Sequence, residues 1–180
     1  MAGQRRHRAG RILIGIGIMI VVAATPFLIL SRYAGGWGVP YFTFTTSRGS
    51  TCTNDFTGYH CDDLTLADVE WWGDVDFPAH TVVVSSHYKS TNEFTLDAEL
   101  EIPAAAEKST AAKLTKIFGG CVQDHPTTLN TDGLTKMCVR ANDASDPMLA
   151  DKPMSNTLYV VTTAYRHGGG MVVGLHEASR

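Results

Sequence analysis

Two patterns of apolar residues stand out along the chain, one unbroken and one alternating. The unbroken pattern covers residues 12–30, from Ile12 to Leu30, where no side chain is charged and Thr25 is the most polar. Nineteen residues of helix span about 28 Å, close to the hydrocarbon thickness of a bilayer. The stretch therefore predicts a transmembrane helix, in which Pro26 is the position where the helix can bend.

The alternating pattern lies between Phe94 and Ile102, where every second residue is apolar and the residues between are polar or acidic. This period of two predicts a strand with one buried face and one wet, acidic face. Asp97, Glu99 and Glu101 are expected to be solvated on the second face. A catalytic carboxylate pair would need an apolar setting that raises one pKa, and the sequence supplies none.

Two short helices flank this strand in the sequence. Thr65 has an acidic residue, Asp68, three positions later, which predicts a helix that begins after Thr65 and ends near Trp72. Pro103 favours the start of a second helix, Ala104 to about Phe118, which the following glycine pair ends. The apolar stripe of the second helix consists of Ala111, Leu114, Ile117 and Phe118.

Further strands are predicted by runs of β-branched and aromatic residues. These runs cover 81–86, 157–165 and 171–176, and the run 41–45 is a candidate edge strand. The glycine-rich segment 167–170 joins the two C-terminal runs as a hairpin. The order helix, two strands, helix, two strands predicts an α+β domain with an antiparallel sheet and two helices on one face.

The charges around the apolar stretch predict its orientation. Four arginines precede it within the first eleven residues, whereas only Arg32 follows closely, so the basic end should stay in the cytoplasm. A cleaved signal peptide is the alternative, but its apolar region usually runs about 7–15 residues, and Ala34 offers a poor cleavage site. The expected parts are a cytoplasmic basic tail at 1–11, the transmembrane helix at 12–30, a juxtamembrane linker with the candidate edge strand at 31–50, and an extracytoplasmic domain at 51–180.

Composition outside the membrane limits the partners. Eleven Lys and Arg against eighteen Asp and Glu after residue 30 leave a net charge of −7 there, whereas the whole chain carries −3. Such a surface argues against binding of nucleic acid or anionic lipid. The expected partners are the membrane, through the N-terminal helix, and another envelope protein. Tyr33, Trp37 and Tyr41 suit the level of the membrane interface.

All four cysteines follow the apolar stretch, and an even number outside the cytoplasm predicts disulfides. The favoured pairs are Cys52 with Cys61 and Cys121 with Cys138, because each pair brackets a short polar segment rich in turn formers. The two other pairings stay open. A zinc site that combines cysteines with His60 or His125 is disfavoured, because the spacing fits no common zinc motif.

Residues 64–120 carry a resemblance to a known group. A small helix, the sequence Phe77-Pro78-Ala79, a β-hairpin that ends in Glu101-Ile102-Pro103, and an Ala/Lys-rich helix that closes on Phe118-Gly119 follow one another. This order resembles that of small uncharacterised actinobacterial membrane-anchored proteins and lipoproteins. The resemblance implies a fold and a cell-envelope location but no catalytic residues. Ile102 replaces the aromatic residue usual in that group, and the four cysteines are not part of its pattern.

Motifs for catalysis are incomplete. Residues 167–170 spell His-Gly-Gly-Gly, the oxyanion-hole sequence of some esterases, but only ten residues follow, too few for a nucleophile elbow. Residues 86–89 match Ser-x-x-Lys, yet they lie at the end of a predicted strand, where residues three apart point to opposite faces. We therefore interpret the first motif as a hairpin turn and the second as coincidence.

Candidate ligands for metals or cofactors are scattered. Asn142, Asp143, Asp146 and Asp151 could surround a calcium ion but lack the loop spacing of an EF-hand, so polar loop residues are the favoured interpretation. The sequence predicts no catalytic, cofactor-binding or metal-binding residue and no cofactor. Six histidines follow the apolar stretch (His60, His80, His87, His125, His167 and His176).

Two functional hypotheses from different classes follow. In the first, the chain is a single-pass membrane-anchored cell-envelope protein with a non-enzymatic protein-interaction domain that offers a sheet face or strand edge. In the second, it is an envelope hydrolase or modifying enzyme built around His87 or His167. The second requires polar side chains that converge in a concave site.

The first prediction concerns topology. Because four arginines precede the apolar stretch and one follows it, a reporter that is active only outside the cytoplasm should be active when fused after Arg180. The measurement is reporter activity in intact cells, with a cytoplasm-specific reporter at the same position as the control. Activity of the cytoplasmic reporter alone would contradict the orientation.

Overall fold

The computed structural model describes the backbone of residues 3–142 and 156–179, and the side chains of those ranges from residue 15 onward. It has an α+β fold, in which one long N-terminal helix precedes an antiparallel sheet and two further helices.

The first helix, α1, spans Gly3–Ala34 and continues through Pro26 without a break. Its segment Gly15–Ala34 has a mean hydropathy of 1.9, and its side chains are exposed as far as Leu30, whereas Ala34 at its end is buried against the domain. A helix this long and apolar, left uncovered near the N-terminus, suits a membrane span or a signal sequence. Together with the disulfides described below, it indicates a membrane or secreted protein.

The sheet contains eight strands among the described residues, and every neighbouring pair is antiparallel. In chain order the strands are β1 (Thr43–Thr45), β2 (Thr51–Asn54), β3 (Tyr59–Asp62), β4 (Val82–Ser90), β5 (Phe94–Ile102), β6 (Leu134–Ala141), β7 (Thr157–Arg166) and β8 (Met171–Ser179). Their order across the sheet is β1-β2-β3-β4-β5-β8-β7-β6. Strands β1–β5 form one meander and strands β6–β8 form another. The two meanders are joined by the pairing of β5 with β8.

Two helices cover one face of the sheet, which we call the helix-covered face. They are α2, Leu66–Trp72, and α3, Glu107–Phe118, the latter preceded by a single 3-10 turn at Ala104–Ala106. The main core lies between them and the sheet, and its fully buried side chains include Val69, Leu96, Leu100, Leu114, Val161, Val173 and Leu175. The other face, which we call the open face, carries the alternate residues of the same strands.

The start of α2 is held by a buried carboxylate. Thr65 is the N-cap, and its hydroxyl accepts a hydrogen bond from the backbone N–H of Asp68, as predicted. The Asp68 carboxylate in turn lies 3.1 Å from the Thr65 hydroxyl, which can donate a hydrogen bond to it. The carboxylate also accepts hydrogen bonds from the Thr46 hydroxyl at 2.6 Å and the Ser50 N–H at 3.1 Å. Burial alone would raise the pKa of Asp68, but the hydrogen bonds outweigh it and lower the pKa.

The end of α3 is held by a buried cation. Arg140 on β6 donates from Nε to the carbonyl of Gly119 and from its two Nη groups to the hydroxyls of Thr163 and Thr115, at 3.0–3.1 Å. Burial lowers the pKa of this guanidinium. A positive charge at a helix C-terminus also interacts favourably with the helix dipole. Arg140 thereby fastens α3 to the far edge of the sheet.

Both disulfides have the pairing that the sequence favours. Cys52 is bonded to Cys61 across the directly opposed positions of β2 and β3, and Cys121 is bonded to Cys138 on β6. The second bond ties down the segment between α3 and β6, which crosses the open face over β7 and β8. There Leu129 is buried against Gly174, where an added Cβ would lie only 2.7 Å from Leu129 Cγ.

Most predicted elements are confirmed, with three differences. The edge strand at β1, the alternating strand β5, the C-terminal hairpin and both domain helices are present. Strands β2, β3 and β6 are not predicted, and the predicted strands β4 and β8 end four and three residues too early. Its placement of Ile117 on the apolar stripe of α3 was wrong, since Ile117 is exposed and Thr110 is buried instead. The buried face of α3 is centred on Leu114, and Thr110 lies closer to that centre than Ile117.

The second prediction tests the alternation of β5. Leu100 is fully buried in the core, whereas its neighbour Glu99 lies on the open face. Leu100→Ala should lower the free energy of unfolding by about 2–5 kcal/mol, because it leaves a cavity that the sheet can only partly fill. Glu99→Gln is the control. It should cost less than about 1 kcal/mol, since half-exposed ion pairs contribute little. Denaturant unfolding of both variants decides, and equal losses would contradict the assignment of faces.

Candidate functional site

A row of alternating acids and histidines crosses the open face. Strand register places Asp62 of β3 opposite His87 of β4, His87 opposite Asp97 of β5, and Asp97 opposite His176 of β8. Directly opposed residues in antiparallel strands point to the same face at about 5 Å between Cβ atoms. We call these four residues the polar row.

Hydrogen bonds divide the polar row into two pairs. His87 Nδ1 lies 2.7 Å from an Asp62 carboxylate oxygen, and His176 Nδ1 lies 2.6 Å from an Asp97 carboxylate oxygen. An ionised carboxylate only accepts hydrogen bonds, so it favours the ring form that carries a proton on Nδ1. In His87 this leaves Nε2 as the acceptor, and Nε2 has no hydrogen-bond partner among the described residues.

The acidic residues of β5 are accessible, as predicted, but each is also paired. The side chains of Asp97, Glu99 and Glu101 are 47%, 32% and 39% exposed. Arg166 at the end of β7 forms ion pairs with Glu99 at 3.8 Å and with Glu101. Half-exposed pairs of this kind contribute about 0–1 kcal/mol each, so they leave the acids available to a ligand.

A pocket opens beside the polar row. Its volume is about 220 Å³, and its side-chain lining on the open face comes from Ser85, His87, Asp97, Glu99, Thr128 and Leu129. One wall is therefore strands β4 and β5, and the other is the segment that the Cys121–Cys138 disulfide ties down. On the open face, two carboxylates, an imidazole and two hydroxyls surround the side chain of Leu129, and Ser86, Ala98 and Leu175 of the strands complete the lining. Such a surface suits a ligand that donates hydrogen bonds or carries positive charge.

The pocket contains only part of a hydrolytic site. His87 and its partner Asp62 match the base and orienting acid of a catalytic triad in type. Ser85 is the nearest hydroxyl on the same face of that strand, two residues away, which is about 6–7 Å along a strand. No hydrogen bond joins Ser85 to His87 among the described residues. The arrangement therefore suits His87 as a general base that activates a water molecule better than it suits Ser85 as a nucleophile.

The two other sequence motifs do not form catalytic arrangements, although Ser86 is among the residues that line the pocket. His167 begins the β7–β8 turn, where the next three glycines all have φ near +100°, so the His-Gly-Gly-Gly motif is a hairpin turn. Ser86 and Lys89 lie on β4 and face opposite sides of the sheet, because Ser86 pairs with Ala98 and Lys89 with Thr95. Ser86 also accepts a hydrogen bond from the backbone N–H of Leu64, a structural role.

The remaining histidines and the suggested calcium ligands are dispersed. His60 lies 3.1 Å from Asp55 within the β2–β3 hairpin, and His125 contacts the carbonyl of Pro126 at 2.8 Å. The side chain of Asn142 bonds to the backbone at Thr157 and Tyr159. Asp143, Asp146 and Asp151 lie outside the described residues. Among the side chains that the structure describes, in residues 15–142 and 156–179, no three His, Cys, Asp or Glu are placed to hold one metal ion.

One further acid is buried on the helix-covered face. Glu177 on β8 is only 6% exposed and pairs across the sheet with Leu96 and Tyr159. Burial, with a smaller contribution from the Asp74 carboxylate, raises the pKa of Glu177 to about 8, and the nearby His176 opposes that rise. Sequence reasoning misses this acid, because the predicted strand ends at His176, one residue before Glu177.

Comparison of the chain with protein-family models, with curated proteins and with solved structures finds no match. The fold and the pocket therefore define the protein only as a membrane or secreted α+β protein with two disulfides.

The third prediction follows from Glu177. Its folded-state pKa of about 8 exceeds the ordinary value of 4.5, so the folded protein holds a proton that the unfolded chain releases. Stability from this group is complete below about pH 4.5 and is lost as the pH rises through about 8. Melting temperatures between pH 5 and 9 should therefore fall less steeply in Glu177→Gln than in the native protein. Glu93→Gln, at an exposed turn, is the control and should follow the native curve. Parallel curves for all three proteins would contradict a buried protonated acid.

Proposed function

We propose that the chain is a single-pass membrane-anchored cell-envelope protein, with its N-terminus in the cytoplasm and a non-enzymatic protein-interaction domain outside. The excess of arginines before α1 supports this orientation, and the two disulfides support an oxidising compartment for the domain. A continuous helix from Gly3 to Ala34 is long enough to serve as the anchor.

One observation carries the interaction role, namely the pocket beside the polar row. Its carboxylates and hydroxyls converge on a space of about 220 Å³ that the chain itself leaves open. The domain that carries it is acidic, and the pocket adds Asp97 and Glu99 to that negative field. The partner we propose is a protein that inserts a lysine or arginine side chain into this pocket. Charge complementarity of this kind favours specific and rapid association.

The fourth prediction tests this binding with the full chain in lipid nanodiscs. A short Lys/Arg-rich peptide should shift the backbone amide resonances of the pocket strands β4 and β5, and a Glu-rich peptide of equal length should not. Glu99→Gln should weaken the basic peptide's effect, because it removes a pocket charge while preserving shape. Lys113→Gln, on α3 across the sheet, is the matched control and should leave the shifts unchanged. Equal shifts with both peptides, or shifts spread away from the pocket, would contradict the proposal.

A hydrolase is the second candidate, because His87 is oriented by Asp62 inside a concave site. It predicts that the full chain hydrolyses an activated ester and that His87→Gln and Asp62→Asn both abolish the activity. The matched control is His60→Gln, since His60 lies on the neighbouring strand β3 and has an aspartate partner, Asp55, but does not line the pocket. Loss of activity in all three variants, or in none, would contradict a catalytic role for His87.

A further inference from the structure

Four exposed aromatic side chains gather where α1 meets the sheet. Tyr33 and Trp37 stack at 6.1 Å between ring centroids, and Tyr41 meets Phe56 edge to face at 5.4 Å. Phe56, at the tip of the β2–β3 hairpin, is 77% exposed, and Tyr41 and Trp37 are 73% and 66% exposed. We call this group the aromatic seat. Large apolar rings so exposed in a small domain usually mark an interaction surface.

The junction between α1 and the sheet is fixed by buried contacts. Asn54 is buried, and its side-chain amide donates to the carbonyl of Gly35 at 2.7 Å and to that of Phe42 at 3.1 Å. The backbone of Tyr41 donates to the carbonyl of Asn54 at 2.7 Å. A Cβ on Gly35 would lie 1.7 Å from the carbonyl oxygen of Thr43, so only glycine permits this approach. The sheet therefore begins directly at the end of the helix.

Apolar surface continues from the helix onto the domain. A cleft of about 320 Å³ at the end of α1 is lined almost entirely by apolar groups. Its lining runs from Phe27 and Leu30 on the helix to Trp37, Val39 and Phe42 beyond it. Trp37 belongs both to this cleft and to the aromatic seat, so the seat adjoins the apolar surface at the end of α1. Tyr and Trp prefer the headgroup level of a bilayer, where one end of the ring is apolar and the other is wet.

We propose that the aromatic seat docks the domain on the outer surface of the same bilayer that α1 spans, with Phe56 inserted at the level of the lipid headgroups. This inference rests on the proposed membrane anchor and adds a second contact to it. Insertion through aromatic rings also agrees with the net charge of −7 after residue 30, because it needs no attraction between basic side chains and anionic lipid. The hairpin contributes this contact because its tip is brought beside Tyr41 by the β1–β2 pairing.

The fifth prediction uses the absence of free thiols. All four cysteines are in disulfides, so one added cysteine accepts a single nitroxide label. In the full chain reconstituted in phosphatidylcholine vesicles, a label at Thr57→Cys should collide often with oxygen and rarely with a water-soluble nickel complex. A label at Met137→Cys, exposed on the opposite edge strand, should show the reverse. Adding Phe56→Ser to the Thr57→Cys protein should shift its label towards the aqueous pattern.

Two further outcomes separate the docking from the anchor. A label at Leu28→Cys, within α1, should report the hydrocarbon layer in every protein. If it does while the label at residue 57 behaves like that at residue 137, the docking proposal is overturned and the anchor stands. If the label at residue 28 is in water, the anchor itself fails. A label at residue 57 that is protected from nickel equally with Phe56 and with Ser would also overturn the role of Phe56.

Discussion

The pairing of β5 with β8 is the constraint on which the rest of the structure depends. These strands are distant in the sequence, yet they share an eight-residue register from Thr95 opposite Ala178 to Ile102 opposite Met171. The pairing joins the meander β1–β5 to the meander β6–β8 and completes the main core. A slip of one residue would turn Val173 and Leu175 outward and bring His176 into the apolar layer. The buried face of β5 therefore sets the register, and the register in turn assembles the polar row.

The sequence predicts those parts of the fold whose local pattern agrees with their burial. The alternation of β5 and the Thr65 cap each report an environment that the neighbouring residues already determine. Strands β2 and β3 are short and polar, so they show no apolar alternation from which a strand could be predicted. The Cys52–Cys61 bond joins them instead. Thr110 shows the same limit in α3, since a polar residue at a central buried position shifts the apparent stripe towards Ile117.

The candidate site is less accessible to sequence reasoning than the fold. The enzyme hypothesis names His87, but its partner Asp62 lies twenty-five positions earlier, and Asp97 and His176 are seventy-nine positions apart. Only the strand register brings them into one row. Leu129 and Thr128 reach the pocket through a segment whose path depends on the Cys121–Cys138 bond and on the absence of a side chain at Gly174. Phe56 gave no signal at all, because a single aromatic residue in a polar turn has no period.

The position of the pocket relative to the helix links the two proposals. The pocket lies at strands β4 and β5, and β1 is the edge strand that follows α1, so the distance across the sheet is about 15–20 Å at ordinary strand spacing. Because Asn54 and Gly35 fix α1 to the sheet, the pocket would stay at a set height above the bilayer in the proposed docking instead of moving on a flexible linker. A fixed height favours partners whose basic side chains lie close to the same membrane, since such partners lose little freedom on binding. The pocket and the aromatic seat would then act together. The carboxylates of the pocket would select the partner by charge, and the aromatic seat would hold the pocket close to the membrane that carries the partner.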